Sequence, residues 1–136
     1  MTVPDAAAYR QTLNEVAATT DLSARIAEAV ATYDLTRYPL PGGEEYDSDG
    51  FRESVVFSIT TLRLVSRRTR NGASAHWWAR QAEALSSEFG GCRYISNVAM
   101  LVAAYIEGIH IFEFVVDRFG LRCSLDVGPI AGWQFK

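Results

Sequence analysis

Apolar residues recur at every third or fourth position through the first part of the chain. A first stripe runs from Ala6 to about Ala18, and a second begins after Asp21 without continuing the phase of the first. Short polar side chains such as that of Asp21 favour the start of a helix, because they accept hydrogen bonds from its free backbone N–H groups. The pattern therefore predicts two separate helices here.

Two more helices are predicted on either side of a glycine turn at 71–72. Asp49 is expected to cap the earlier helix, and the arginines at 67–70 followed by Asn71-Gly72 are typical of a helix end. The β-branched run at 55–59 would also fit a strand. The prediction of a helix before residue 67 therefore depends mainly on the helix-end signal at 67–72. Ser74 is expected to cap the later helix, which stops at Gly90-Gly91.

Residues 36–50 form the longest irregular stretch. It opens with YPLPGG, which excludes a helix, and it closes with EEYDSD, which is dense in carboxylates. A loop of about 15 residues is uncommon in a compact domain, and such loops are usually functional or mobile.

The longest periodic pattern spans residues 94–119. Its apolar positions follow steps of three and four: Ile95, Val98, Val102, Tyr105, Ile109, Phe112, Val116 and Phe119. A heptad-like seam of this kind predicts one long helix, which would measure roughly 39 Å at 1.5 Å per residue. Beyond Gly120, alternating apolar and polar residues predict a short extended arm within 120–136.

The expected fold is therefore all-α. Residues 1–136 should form a single helical domain, with four to five helices packed around the long apolar helix at about 94–119. A helix that is apolar over most of its circumference must be covered on every side, and a tail with Trp133 and Phe135 adds further apolar surface. We therefore expect a homodimer.

Composition and charge narrow the class of protein. A hydrophobic share of 49% with 21% charged residues is typical of a globular protein, and a net charge of −3 argues against a nucleic-acid binder. The acidic residues inside 98–116 argue against a membrane span. The arginine bias, with Lys136 as the single lysine, suggests a bacterial source, and the polar N-terminal segment predicts a cytoplasmic protein.

A polar stripe on the long helix carries the functional prediction. At 100° per residue, Glu107, His110, Glu113 and Asp117 lie within about 120° of one another. In an enclosed site, such a carboxylate–imidazole group can bind a polar ligand or move a proton, whereas on a solvated face it does neither. The predicted ligand-binding residues are Trp77, Trp78, Tyr105, Glu107, His110, Glu113 and Asp117.

No metal or other cofactor is predicted. Glu107-x-x-His110 matches half of the di-iron bundle pattern, but the other histidine, His76, has no acid three residues before it. Cys92 and Cys123 lack metal-ligand spacing and are expected to be small buried thiols. A disulfide between them would need Cα atoms within about 7 Å.

Three functional hypotheses remain open. The first is a small-molecule-binding or accessory protein of a bacterial pathway, with the ligand held in an interhelical pocket by Glu107, His110 and Glu113. The second is a small cofactor-independent enzyme in which His110 is the general base, with Glu107 or Glu113 as its catalytic partner. The third is a protein-interaction module that acts through a dimer face.

Overall fold

A computed structural model of the chain describes residues 5–91, 94–118 and 120–131. These residues form five α-helices and two antiparallel sheets of two strands each. The helices are α1 (Ala6–Ala17), α2 (Leu22–Thr32), α3 (Asp49–Val65), α4 (Ala75–Glu88) and α5 (Asn97–Ile106). The strands are β1 (Ser66–Arg68), β2 (Ile111–Asp117), β3 (Gly120–Leu125) and β4 (Val127–Pro129).

Helix starts follow the local sequence closely. The side chains of Ser48, Ser74 and Ser96 each accept a hydrogen bond from the backbone N–H three residues later, which stabilises the first turn of α3, α4 and α5. The predicted helices before residue 33, the helical state of 51–65 and the cap at Ser74 are confirmed. Asp49 lies in the first turn of α3 and is not its cap, because Ser48 takes that role.

Helix α5 occupies the centre of the molecule. Every residue from Ala99 to Ala104 is 0% exposed, and α2, α3 and α4 pack around this helix. The alanines at 99, 103 and 104 let those neighbours approach closely, while Trp78 and Phe51, each 0% exposed, fill the space between them. The buried apolar residues join into one cluster.

The all-α prediction is wrong, and so is the continuous helix at 94–119. Helix α5 ends at Ile106, and Gly108 takes a left-handed φ of 70°. The Gly108 N–H donates to the Tyr105 carbonyl and the Ile109 N–H donates to the Ala104 carbonyl, at 3.1 and 2.9 Å. These two bonds form a Schellman motif, which satisfies the last carbonyls of a helix and turns the chain away.

The second half of the predicted long helix is an antiparallel hairpin. Strand β2 pairs with β3 from Ile111↔Leu125 to Asp117↔Gly120. The apolar residues of 109–117 are β-branched or aromatic, which favours strands, and their abundance lets them match a helical period as well. The arm predicted at 120–136 is indeed extended as far as the structure describes it, but it pairs with other strands.

The chain after β3 returns to the end of α3. Strand β4 pairs with β1 from Ser66↔Pro129 to Arg68↔Val127.

The loop at 36–50 is confirmed as mostly irregular, with short 3-10 turns at Leu35–Arg37 and Pro41–Gly43. Within residues 5–91, 94–118 and 120–131, no helix combines the length and the apolar composition needed to span a bilayer.

Gly72 marks a close approach between the β1–α4 turn and the C-terminal strands. A Cβ atom at Gly72 would overlap the carbonyl oxygens of Leu125 and Val127. We expect Gly72→Ala to lower the free energy of unfolding by about 3 kcal/mol, because backbone atoms cannot rotate out of the way as a side chain can. Urea unfolding followed by circular dichroism would measure the loss.

Gly42→Ala is the matched control for this prediction. Gly42 has a φ of 71° but open space around it, so the same methyl group should cost only about 1 kcal/mol. Equal losses in the two variants would contradict the proposed overlap.

Candidate functional site

The predicted polar stripe is divided among several environments. Glu107 is the C-cap of α5, and His110 lies in the link to the hairpin. Glu113 and Asp117 lie in β2. Because the helix that should have aligned them ends at Ile106, their predicted common face does not exist.

Glu107 holds the end of α5 against α3. The Arg63 Nε and Nη2 atoms donate to its two carboxylate oxygens at 2.6 and 3.1 Å, and Arg68 donates to its backbone carbonyl at 2.6 Å. The hydrogen bond to Glu107 raises the pKa of Arg63 above its ordinary value, although partial burial acts in the opposite direction. The carboxylate of Glu107 is therefore paired with Arg63 and its backbone carbonyl with Arg68, an arrangement that suits positioning better than ligand binding.

His110 and Glu113 are both exposed. The His110 ring stacks on Phe112 with 5.9 Å between ring centroids. The backbone carbonyl of His110 accepts a hydrogen bond from the Asp126 N–H at 3.0 Å. Glu113 has a left-handed φ of 52°, which is uncommon for a residue with a side chain. It lies at a register shift between Phe112 and Val115, which identifies a β-bulge.

The remaining predicted site residues lie elsewhere. Asp117 forms an ion pair with Arg122 across the hairpin. Tyr105 is half-buried on α5 and donates to Glu28 Oε1 at 2.6 Å. Trp78 is a core residue whose Nε1 donates to the Val127 carbonyl at 3.3 Å, and Trp77 packs edge-on against it. The predicted set therefore does not form one pocket.

Strand β2 is the first surface that sequence reasoning missed. Phe114, Val115 and Val116 are 38%, 46% and 37% exposed, three consecutive large apolar residues on one strand. The Phe114 ring stacks on Tyr33 at 5.6 Å, so one end of this surface rests on the C-terminus of α2. We call the unpaired side of β2, with the exposed side chains of 114–116, the β2 edge.

A cavity beside α2 is the second such surface. It has a volume of about 850 Å³ and lies between α2, the loop at 34–49 and the first turn of α3. Ile26, Val30 and Leu40 are buried residues of its floor. We call it the α2 cavity. The sequence contained a partial signal, since the long Pro/Gly and acidic loop that walls it was already marked as unusual.

Burial changes the acid–base chemistry of two groups near these surfaces. Cys123, a free thiol on β3 that is 3% exposed, has its pKa raised by burial to about 12. Burial also raises the pKa of Tyr46, in the wall of the α2 cavity, to about 12. Both groups are therefore neutral at physiological pH. Cys92 lies outside the described residues, as do Trp133 and Phe135.

Metal-binding geometry is not found in the described part of the chain. No group of three or more His, Cys, Asp or Glu side chains in residues 5–91, 94–118 and 120–131 is arranged to hold a metal ion. Comparison of the chain with protein-family models, with curated proteins and with solved structures gave no match.

The buried thiol predicts a pH dependence of stability. A pKa raised from 9.0 to about 12 means that the folded state holds the proton more tightly than the unfolded state. The resulting stabilisation is complete below about pH 9 and is lost as the pH rises towards about 12. In a Cys92→Ser background, we expect the titration of Cys123 to contribute a fall of about 1 kcal/mol in the free energy of unfolding between about pH 9 and 10.

Urea unfolding at a series of pH values would measure this decline. Adding Cys123→Ala to the same background should make the decline shallower, and the remaining slope comes from tyrosines such as Tyr9 and Tyr46, whose pKa values burial also raises. An unchanged slope would contradict the assignment to Cys123.

The contacts of Glu107 and His110 predict different losses of stability for substitutions at these two nearby positions. Glu107→Gln should lower the free energy of unfolding by about 1 kcal/mol, because it removes the charge that pairs with Arg63. His110→Ala should change it by less than about 0.5 kcal/mol, because that side chain is exposed. Chemical denaturation of both variants tests the pair, and a larger loss for His110→Ala would contradict this description.

Proposed function

We propose that this protein is a protein-interaction module that forms a homodimer through the β2 edge. The observation that carries the proposal is the run of exposed apolar residues at 114–116 on a strand that, among the described residues, pairs along one side only. Exposed apolar strands with a free backbone edge readily add another strand, because N–H and C=O groups are already aligned for pairing. The proposal retains the third hypothesis from the sequence, with a different dimer face.

The free edge belongs to β2 and not to β3. On the far side of β3, the Leu125 N–H donates to the Ala73 carbonyl at 3.1 Å, and Ser124 forms a bridge with Ser74. In the described ranges, no strand other than β3 pairs with β2. The hairpin therefore offers one edge for association.

A second copy of this chain fits that single edge. Antiparallel pairing of β2 with β2 of the second copy would form a four-stranded sheet whose outer strands are the two β3 strands. Because the outer edge of each β3 is already engaged near residues 124–125, assembly would stop at two copies. A two-fold arrangement of this kind explains why an aggregation-prone edge can be tolerated.

The charges along β2 favour one register. If the two-fold axis passes beside Val116, Asp117 of one copy faces Val115 of the other, and no carboxylate faces another. If it passes beside Val115, Glu113 faces Asp117 and the two acids repel. We therefore propose pairing centred on Val116.

The ligand-binding and enzyme hypotheses gain no support from this region. Both required enclosure of Glu107, His110 and Glu113, yet two of these side chains are exposed and the third is paired with Arg63. A bacterial cytoplasm remains the proposed location, consistent with the free thiol of Cys123. Nucleic acid is not a proposed partner, because the net charge is −3.

Light scattering coupled to size-exclusion chromatography tests the dimer. The wild-type chain should have twice the chain mass, and Val116→Lys should be a monomer, because in the proposed register the two lysines at position 116 face and repel each other. Ala24→Lys adds the same charge on an exposed position of α2 and should remain dimeric. A wild-type monomer at high protein concentration would overturn the proposal.

Cysteine crosslinking tests the register independently. In a background where Cys92 and Cys123 are replaced by Ser and Ala, Val116→Cys should form an intermolecular disulfide under mild oxidation. Val115→Cys should crosslink far less, since its counterpart lies on the diagonal. Faster crosslinking of the Val115→Cys variant would contradict the proposed axis.

A further inference from the structure

We infer that the α2 cavity binds a small organic cation that carries a hydrocarbon body. None of the residues that line the cavity belongs to β2, so this inference stands apart from the proposed dimer. It rests on the size of the cavity, its apolar floor and its acidic rim.

The cavity has the dimensions of a small-molecule site. Its volume of about 850 Å³ falls within the range typical of such sites, roughly 300–1,000 Å³. The space exists because α2 presents the short side chains of Ala27 and Ala31 beside the buried Ile26 and Val30. The loop at 34–49 forms the other side of the cavity, with the buried Leu40 in the floor and Tyr46 in the wall.

The rim of the cavity favours a positive charge. Its carboxylates come from Asp34, Glu44, Glu45, Asp47 and Asp49. Arg52 lines the cavity and keeps its positive charge, and Asp34 pairs with Arg37 at 3.6 Å, but the carboxylates of the lining outnumber these two cations. Acidic groups around a concave apolar surface attract cations and repel anions.

The same surface favours an organic cation over a metal ion. Among the described residues, no group of three or more His, Cys, Asp or Glu side chains is arranged to hold a metal ion, and this includes the rim acids. The floor formed by Ile26, Val30 and Leu40 rewards contact with hydrocarbon. Tyr46 adds an aromatic ring to the wall, and its hydroxyl is occupied by a 2.7 Å hydrogen bond to the Tyr38 carbonyl. A neutral ring of this kind can also contact an ammonium group through its face.

Titration with matched probes tests the charge preference. Hexylammonium, hexan-1-ol and hexanoate share one hydrocarbon chain and differ in the charge of the head group. Isothermal calorimetry, or chemical shifts of residues on α2, should give hexylammonium an affinity about tenfold higher than that of hexan-1-ol, with no measurable binding of hexanoate. Equal affinities for the amine and the alcohol would overturn the preference for a cation.

Two pairs of variants test the location. Ala27→Phe should abolish binding of hexylammonium by filling the cavity, whereas Ala24→Phe, at an exposed position of α2 outside it, should leave binding unchanged. Glu45→Gln with Asp47→Asn should weaken binding about fivefold, and Glu15→Gln with Glu53→Gln should not. Circular dichroism would verify that each variant is folded.

Three results would overturn the inference. The first is unchanged binding of hexylammonium to Ala27→Phe, which would place the site elsewhere. The second is no binding of hexylammonium to the wild-type chain at millimolar concentration. The third is binding of a lysine-rich peptide but not of hexylammonium, which would identify a polypeptide partner. Repeating the titration with Val116→Lys separates this test from the dimer, since residue 116 does not line the cavity.

Discussion

Complete burial of α5 organises the rest of the molecule. Because residues 99–104 are 0% exposed, the helices α2, α3 and α4 must surround them, and the chain must leave the core at both ends. The Schellman motif at Gly108 makes that exit possible, since it satisfies the terminal carbonyls and reverses the path. Glu107 then fixes the end of α5 through Arg63 and Arg68. The hairpin position follows from this arrangement.

The two candidate surfaces are both consequences of incomplete covering around that core. The helices pack around α5 and leave one side of β2 exposed. The apolar side chains of β2 at 114–116 therefore remain in contact with solvent. The loop at 34–49 spans the outer face of α2 without filling it, which creates the α2 cavity. One surface is suited to strand pairing and the other to a small cation, because the first offers backbone groups and the second offers depth and acidic charge.

Local signals were predictable, and one of them was misinterpreted. The serine cap at residue 74, the boundaries of the first helices and the loop at 36–50 all follow from short-range chemistry of neighbouring residues. Gly108 lies inside the predicted long helix, although glycine before a β-branched run is also typical of a helix end and a following strand. The apolar residues of 109–117 satisfy both a helical and a strand period. Only the helical period aligns Glu107, His110 and Glu113 on one face.

By itself the amino-acid sequence determined where most helices begin, which stretch is irregular and that one strongly apolar segment lies at the centre. These properties depend on caps, turns and spacing within a few residues. Tertiary structure decided that this segment is half helix and half hairpin, that Arg63 engages Glu107, and which apolar side chains remain exposed. The physical reason is that burial and pairing depend on residues far apart in the chain, such as Arg63 and Glu107, whose meeting no local pattern encodes.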